Sequence, residues 1–270
     1  MKHARNHSGA AKTRRGGPGS NGQEGPLWLW GRHAVAAALA NPQRACLRLV
    51  ATENAARRLA DDLGRPVAEV EVVSPRELDA LLPNGAVHQG LAIKTQPLAG
   101  VTLDDLLSGD KPARVCVLDQ VSDPQNLGAV FRSAAAFGVG ALILQTRHSP
   151  PITGAVAKSA AGAAETVTDV RVVNIARALE TLAEAGYRTV GLAGGAGTRL
   201  DHAVAGADRL AIVLGAEGAG LRPAVAKACD VAAHIPIAFE MESLNLSNAA
   251  AIAFYEAARP AFSAEPGAGM

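Results

Sequence analysis

After Lys111 the chain repeats one pattern, a short run of apolar residues followed by a loop and a helical stretch. The runs fall at 115–119, 141–145, 188–193, 210–215 and 232–237, and each reads as a strand. Helices are predicted near 126–137, 153–161, 175–185 and 223–228, with a last one over 247–259. Strands that are apolar throughout are buried on both faces, and strands separated by helices pair in parallel. The expected fold class is therefore α/β, built on a parallel sheet. Ligands of such sheets lie outside the carboxyl ends of the strands, so the loops leaving those ends are where chemistry is expected.

In front of this pattern, residues 26–97 read as a smaller α/β domain. Helices are predicted at 33–39, 54–63 and 74–82 and strands at 46–50 and 69–73, and the unit ends in His88-Gln89-Gly90-Leu91-Ala92-Ile93. Residues 98–111 mix Pro, Gly and Asp with a helical patch at 103–107 and are expected to link it to the larger domain, 112–260. Residues 1–25 hold Lys2, Arg5, Lys12, Arg14 and Arg15 against Glu24 alone in a Gly/Ser/Asn-rich background. Such a composition cannot offset ordering entropy and is expected to be a disordered basic tail, either a tether to a polyanion or a plain solvated extension. Residues 261–270 form a second tail.

Composition excludes several classes. Lys plus Arg number 26 against 25 Asp plus Glu, so the net charge of +1 announces no whole-molecule affinity for nucleic acid, and any such site must be local. Cys46, Cys116 and Cys229 lie in separate apolar stretches without C-x-x-C spacing, which argues against a disulfide framework and a zinc site and for a reducing, cytoplasmic setting. No apolar run reaches the roughly 18 residues of a membrane helix, and residues 2–26 lack any Leu, Ile, Val or Phe for a signal-peptide core.

Three loops carry candidate chemistry. The first leaves the strand at 115–119 and opens a helix, with Asp123 suited to the N-cap, Pro124 to the first helical position, and the N-terminus as a whole to an anion. Asn126 and Arg132 are polar there among small and apolar residues; a turn cap and a surface ion pair are the plain alternatives. The second loop, Gly215-Ala216-Glu217-Gly218-Ala219-Gly220-Leu221, sets three glycines around one carboxylate and permits close backbone approach to a ligand. It is neither a P-loop nor a dinucleotide fingerprint, and a tight turn with Glu217 in solvent is its alternative. The third runs from His234 to Ala249, where Ser243, Asn245, Ser247 and Asn248 exceed what capping one helix requires. His234, flanked by apolar residues, reads as a satisfied core histidine.

Taken in order, these loops resemble the three signature motifs of the SpoU branch of the SPOUT methyltransferases: Asn126-x-Gly128-x-x-x-Arg132, then Gly215-x-Glu217-Gly218-x-Gly220-Leu221, then Ile235-Pro236 followed by Ser243-Leu244-Asn245-x-Ser247-x-Ala249. Gly31-Arg32-His33-Ala34-Val35 and His88 to Ile93 resemble the ends of the small L30e-like substrate-binding domain that precedes the catalytic domain in the family's ribosomal RNA enzymes. The resemblance spans residues 30–259.

It implies a SPOUT domain with a deep trefoil knot, an exception to unthreaded topology. It also implies a homodimer that uses the last helix. The implied cofactor is S-adenosylmethionine, held by Leu214, Gly215, Gly218, Ile235, Ile237, Ser243 and Leu244. The implied reaction is 2'-O-methylation of RNA, with a guanosine of 23S ribosomal RNA, free or in a pre-ribosomal particle, as target. Arg132, Asn126, Glu217, Ser243 and Asn245 are the implied catalytic residues, with Glu217 orienting Asn126 or Arg132 and no metal, membrane or DNA involved. Leu246 and Asn248 stand where the family usually carries Val, and Asn248 puts an amide where packing is expected. A tRNA methyltransferase of the same family and a non-catalytic ribosome-assembly factor are the rival readings; an oxidoreductase would need the missing fingerprint.

Overall fold

The computed structural model describes residues 25–64, 67, 69–238 and 243–263, so the N-terminal basic stretch and most of the C-terminal tail lie outside the described residues. The elements in order are β1 (Leu27–Trp30), α1 (Arg32–Ala40), β2 (Cys46–Ala51), α2 (Glu53–Leu63), β3 (Val70–Val72), α3 (Pro75–Leu81), β4 (Leu91–Thr95), α4 (Leu103–Ser108), β5 (Arg114–Leu118), α5 (Pro124–Ala136) and β6 (Ala141–Gln145). There follow α6 (Gly154–Ala160), β7 (Thr168–Val172), α7 (Ile175–Glu184), β8 (Arg188–Leu192), β9 (Thr198–Arg199), α8 (Leu200–Val204), β10 (Leu210–Leu214), α9 (Pro223–Lys227), β11 (Val231–His234) and α10 (Leu246–Ser263). None of these helices is long and apolar enough to cross a membrane.

The described strands form two sheets. The first has the order β1-β4-β2-β3, with β4 antiparallel to both neighbours and β2 parallel to β3. The second has the order β7-β6-β5-β10-β8-β11-β9 and is parallel at every pairing. The physical basis of the parallel sheet is visible along β5 and β10. Cys116, Leu118, Ile212 and Leu214 are buried on one face against α5 and α10, while Val115, Val117, Ala211 and Val213 are buried on the other against α7 and α9. Helix starts follow their caps: Ser74 and Thr102 close capping boxes with Glu77 and Asp105, and Asp123 Oδ1 accepts the Gln125 N–H at 2.9 Å ahead of Pro124.

Four sequence expectations are corrected. β1, β4 and β7 were not anticipated as strands; Asp169 and Arg171 inside β7 disguise it, and there they pair with one another at 2.8 Å. The strand expected at 232–237 ends at His234, because Pro236 has no N–H to continue a ladder. The short β9 and α8 fall between the strands expected at 188–193 and 210–215, where no element was expected. Finally, 98–111 is more than a connection: Val101 bridges to Val170 of β7, and Leu103, Leu106 and Leu107 pack on the core of the large sheet.

The two sheets are joined by a buried ion pair. Arg44 Nη2 and Nε meet the Glu165 carboxylate at 2.7 and 3.0 Å, with both side chains under 5% exposed. Asn41 Nδ2 donates to the same carboxylate at 2.8 Å, and Arg44 Nη1 to the Gln96 carbonyl at 2.9 Å. Removing one member strands a charge out of water. Glu165→Ala is therefore expected to lower stability by about 3–5 kcal/mol in urea denaturation, far beyond an exposed pair. A loss under about 1 kcal/mol would contradict the fully desolvated geometry.

Candidate active site

In a parallel sheet all carboxyl ends share one edge, and the loops leaving β5, β10 and β11 meet there. Leu214, the last residue of central β10, gives its carbonyl to the Asp119 N–H at 2.8 Å. The glycine-rich loop then folds back on itself, Ala216 and Gly220 exchanging hydrogen bonds of 3.1 and 2.9 Å. This closure demands glycine at 215: a Cβ would stand inside the backbone of Gly220 and the Leu221 nitrogen. Gly215→Ala is accordingly expected to open the loop, lowering stability by about 1–3 kcal/mol and abolishing ligand binding to the neighbouring cavity in calorimetry; wild-type affinity would refute this.

A second tie holds the loop. Asp119, fully buried at the end of β5, accepts from the Arg222 backbone N–H at 3.1 Å, from Nε at 2.9 Å and from Nη2 at 2.6 Å. This bidentate clamp went unread in the sequence, where the partners stand 103 positions apart. The only local signals are an Asp closing an apolar strand and an Arg just after the glycines.

Glu217 stands at the centre of the polar cluster. Its Oε1 accepts from Asn126 Nδ2 at 2.8 Å, Asn245 Nδ2 at 2.8 Å and the Leu246 N–H at 3.4 Å. Asn245 Nδ2 also reaches Asn126 Oδ1 at 3.2 Å. Asn245 immediately precedes α10, and its Oδ1 accepts the Ser247 N–H at 2.9 Å and the Ser247 hydroxyl at 2.6 Å. One side chain thus caps the helix with its oxygen and joins the cluster with its nitrogen. Glu217, although exposed, is held by these bonds, and Asn126 does not cap the turn, which Asp123 does.

Glu217 orients Asn126, one of its two expected partners, and leaves the other alone. Arg132, two turns along α5, is exposed and makes no hydrogen bond or ion pair with any described residue. Ser243 is exposed at the mouth of the cluster. Two further expectations are corrected: Asn248 is exposed on α10 rather than packed, and His234 is only half-buried, its Nδ1 without a partner among the described residues.

Beside the cluster lies a cavity of about 530 Å³, lined by Leu192 to Gly194, Leu214 to Gly218, Gly220, Ala233, Ile235, Ile237, Ser243 to Leu246 and Ala249. Leu214, Gly215, Gly218, Ile235, Ile237, Ser243 and Leu244, all expected at a ligand, line it together. Its walls are mainly apolar side chains and main chain with Ser243 and Asn245, and Glu217, the one charged lining residue among the described residues, is engaged by the two asparagines. Cys229 is no nucleophile here: burial, with the charges of Asp230 and Asp119, pushes its thiol up to about 11 and keeps it protonated at neutral pH.

Fold and site together define an α/β protein with an open, ligand-sized cavity and a polar cluster at the carboxyl edge of a parallel sheet. The SpoU rRNA Methylase family matches residues 113–255, and the RNA 2'-O ribose methyltransferase substrate binding family matches residues 28–100. The chain belongs to the SpoU rRNA Methylase family. It is 40% identical over 212 residues to an uncharacterised tRNA/rRNA methyltransferase of Mycobacterium ulcerans, an alignment covering 77% of this chain and 66% of that protein. An uncharacterised tRNA/rRNA methyltransferase of Mycobacterium tuberculosis H37Rv is 40% identical over 196 residues, 72% of this chain and 60% of that one. The chain thus spans somewhat under two thirds of the length of these relatives. The fold is shared with the SpoU methyltransferase AviRb of Streptomyces viridochromogenes in complex with AdoMet, at a TM-score of 0.71 and 24% identity over 89% of this chain and 92% of that one. It is shared also with an AdoMet-bound rRNA methyltransferase from Sinorhizobium meliloti, at a TM-score of 0.68 and 21% identity over 87% of each chain.

Proposed function

We propose that this protein transfers a methyl group from S-adenosylmethionine to a ribose 2'-hydroxyl of RNA, with a guanosine of 23S ribosomal RNA as the target. The observation that carries the reading is the convergence of Asn126, Asn245 and the α10 N-terminus on one Glu217 oxygen beside a ligand-sized cavity, with Arg132 of the same helix as Asn126 unpaired among the described residues. Family membership supports the chemistry. The 28–100 match to a substrate-binding family supports an RNA substrate and a front domain that binds it.

The cavity fits the donor. Its volume is in the range of small-molecule sites, and Gly194 and Gly218 line it with open space where a Cβ would stand, leaving main-chain groups accessible. Leu214, Ile235, Ile237 and Leu244 offer apolar surface to a flat base, while Gly215, Gly218 and Ser243 offer polar atoms without bulk. When bound, S-adenosylmethionine supplies an electrophilic methyl group on a sulfonium.

The residues of this chain then have separable tasks. Asn126, fixed by Glu217, and Asn245, fixed by its own helix cap, hold the target ribose so that its oxygen is in line with the methyl group. Arg132 clamps the adjoining RNA phosphate and stabilises negative charge as it develops on the 2'-oxygen. A guanidinium stays protonated in proteins, so the hydroxyl proton passes to a phosphate oxygen or to water. Bound S-adenosylmethionine would supply the carbon for the new bond to the 2'-oxygen, and its sulfur would keep the electron pair of the carbon–sulfur bond broken.

Two architectural readings belong with this proposal. α10 packs on α5 and β10, and Ser243 to Leu246 line the same cavity as Leu214 to Gly218, an arrangement that supports the reading of a trefoil knot. Ile252 and Tyr255 of α10 are 41% and 49% exposed, an apolar surface suited to a second copy of the chain. The test of substrate is to map ribose methylation in ribosomal and transfer RNA from cells with and without the gene. Loss at one 23S guanosine is expected; loss from tRNA alone would overturn the substrate while sparing the chemistry.

A further inference from the structure

The junction between the two sheets holds one cation whose surroundings differ from those of its neighbours. Arg32, Arg44 and Arg171 each meet a carboxylate, Asp62, Glu165 and Asp169 respectively. Lys158, in the last turn of α6, meets none among the described residues: its Nζ donates to the neutral side-chain oxygen of Gln89, at 2.5 Å. Its stem lies over Gly31, where a Cβ would stand 2.6 Å from Nζ and 2.7 Å from Cδ. The absence of a side chain at 31 therefore makes the groove in which the lysine runs.

Gln89 is a substitute partner of limited strength. It is exposed, it holds a left-handed φ of +55° that a side-chain-bearing residue seldom adopts, and its one oxygen is shared between Lys158 and the Arg32 N–H at 3.1 Å. Burial lowers the Lys158 pKa, which is the signature of an ammonium short of counter-charge. The position matters as well. Gly128 of α5, two residues beyond Asn126, packs against Ser159, the neighbour of Lys158. Arg132 lies one turn further along α5, exposed to solvent. Lys158 and Arg132 are thus two cations without carboxylate partners among the described residues, carried by two helices that pack on one another.

We propose that Lys158 is a seat for an RNA backbone phosphate, built jointly by α6 and the Gly31 and Gln89 turns of the front sheet, which positions the strand that Arg132 grips. The inference rests on the RNA-methylating reading above. On this account Gln89 occupies the ammonium only until the phosphate arrives. The front sheet then contributes to substrate binding at the junction itself, beyond any contact along its outer surface.

The experiment measures affinity of the full chain for in-vitro-transcribed bacterial 23S ribosomal RNA and for bulk tRNA between about 50 and 300 mM KCl. Each phosphate contact contributes about 0.7–0.9 to the slope of log K against log salt. Lys158→Gln is expected to weaken the better-bound RNA about tenfold and to reduce the slope by about that amount, with S-adenosylmethionine affinity unchanged. Gln89→Glu supplies a carboxylate that pairs the ammonium. It is expected to weaken RNA binding similarly while leaving the melting temperature equal or higher, which keeps the test valid if Lys158→Gln folds poorly. A purely structural tie gives the opposite pattern, with a lowered melting temperature for Lys158→Gln and an unchanged RNA slope in both variants, and would overturn the seat. Wild-type protein that binds neither RNA would instead bring down the functional reading and the seat with it.

Discussion

Glu217→Ala is expected to lower kcat by about 10²-fold, with a much smaller change in the dissociation constant for S-adenosylmethionine. The reason lies in what Glu217 holds. Its Oε1 is the common acceptor for Asn126 Nδ2, Asn245 Nδ2 and the Leu246 N–H, so it registers the loop after β5 against the start of α10. Bonds to a charged acceptor are roughly twice as strong as neutral ones, and a displacement of about 1 Å in a positioning group costs on the order of 10²-fold in rate. Glu217→Gln keeps the size and one acceptor oxygen but loses the charge, so its defect is expected to be smaller than that of the alanine variant. Equal cofactor binding with reduced single-turnover rate is the pattern to look for. A Glu217→Ala enzyme with wild-type kcat would show that the polar cluster has no part in catalysis.

Arg132→Ala is expected to cost more, about 10²–10³-fold in kcat, the usual loss when one preorganised donor to a developing oxyanion is removed. Arg132 has no structural partner to lose among the described residues, so its removal is expected to leave the melting temperature within about 1 °C of wild type. Arg132→Lys retains the charge and discards the planar fork, and is expected to keep no more than about a tenth of the activity. Near-wild-type turnover by the lysine variant would refute the bidentate phosphate clamp. Single-turnover rates at saturating RNA separate this effect from weakened binding.

The sheet was legible wherever strands are apolar on both faces, as in β5, β6, β8 and β10, because burial on both sides removes any need for polar residues. It was illegible where charge is satisfied internally. The sequence Thr168 to Val172 carries Asp169 and Arg171, which neutralise each other and give Arg171 Nη2 to the Pro150 carbonyl at 3.0 Å. Among site residues, Asn126, Glu217 and Asn245 were readable because small polar side chains stood in apolar stretches with family spacing. Their mutual geometry was less so: Arg132 was a candidate partner for Glu217, but Asn245 holds that place and the arginine has no partner among the described residues. The Asp119–Arg222 clamp and the Lys158 groove escaped entirely, since each depends on residues brought together only by the tertiary fold. Neither leaves a periodic or spaced trace.

The central claim is tested most directly by incubating the purified protein with methyl-labelled S-adenosylmethionine and unmodified 23S ribosomal RNA, then digesting the RNA to nucleosides. Label recovered as a 2'-O-methylnucleoside, lost with Arg132→Ala and Glu217→Ala, is the predicted result. Label recovered on a base, or transfer that persists in both variants, would contradict it.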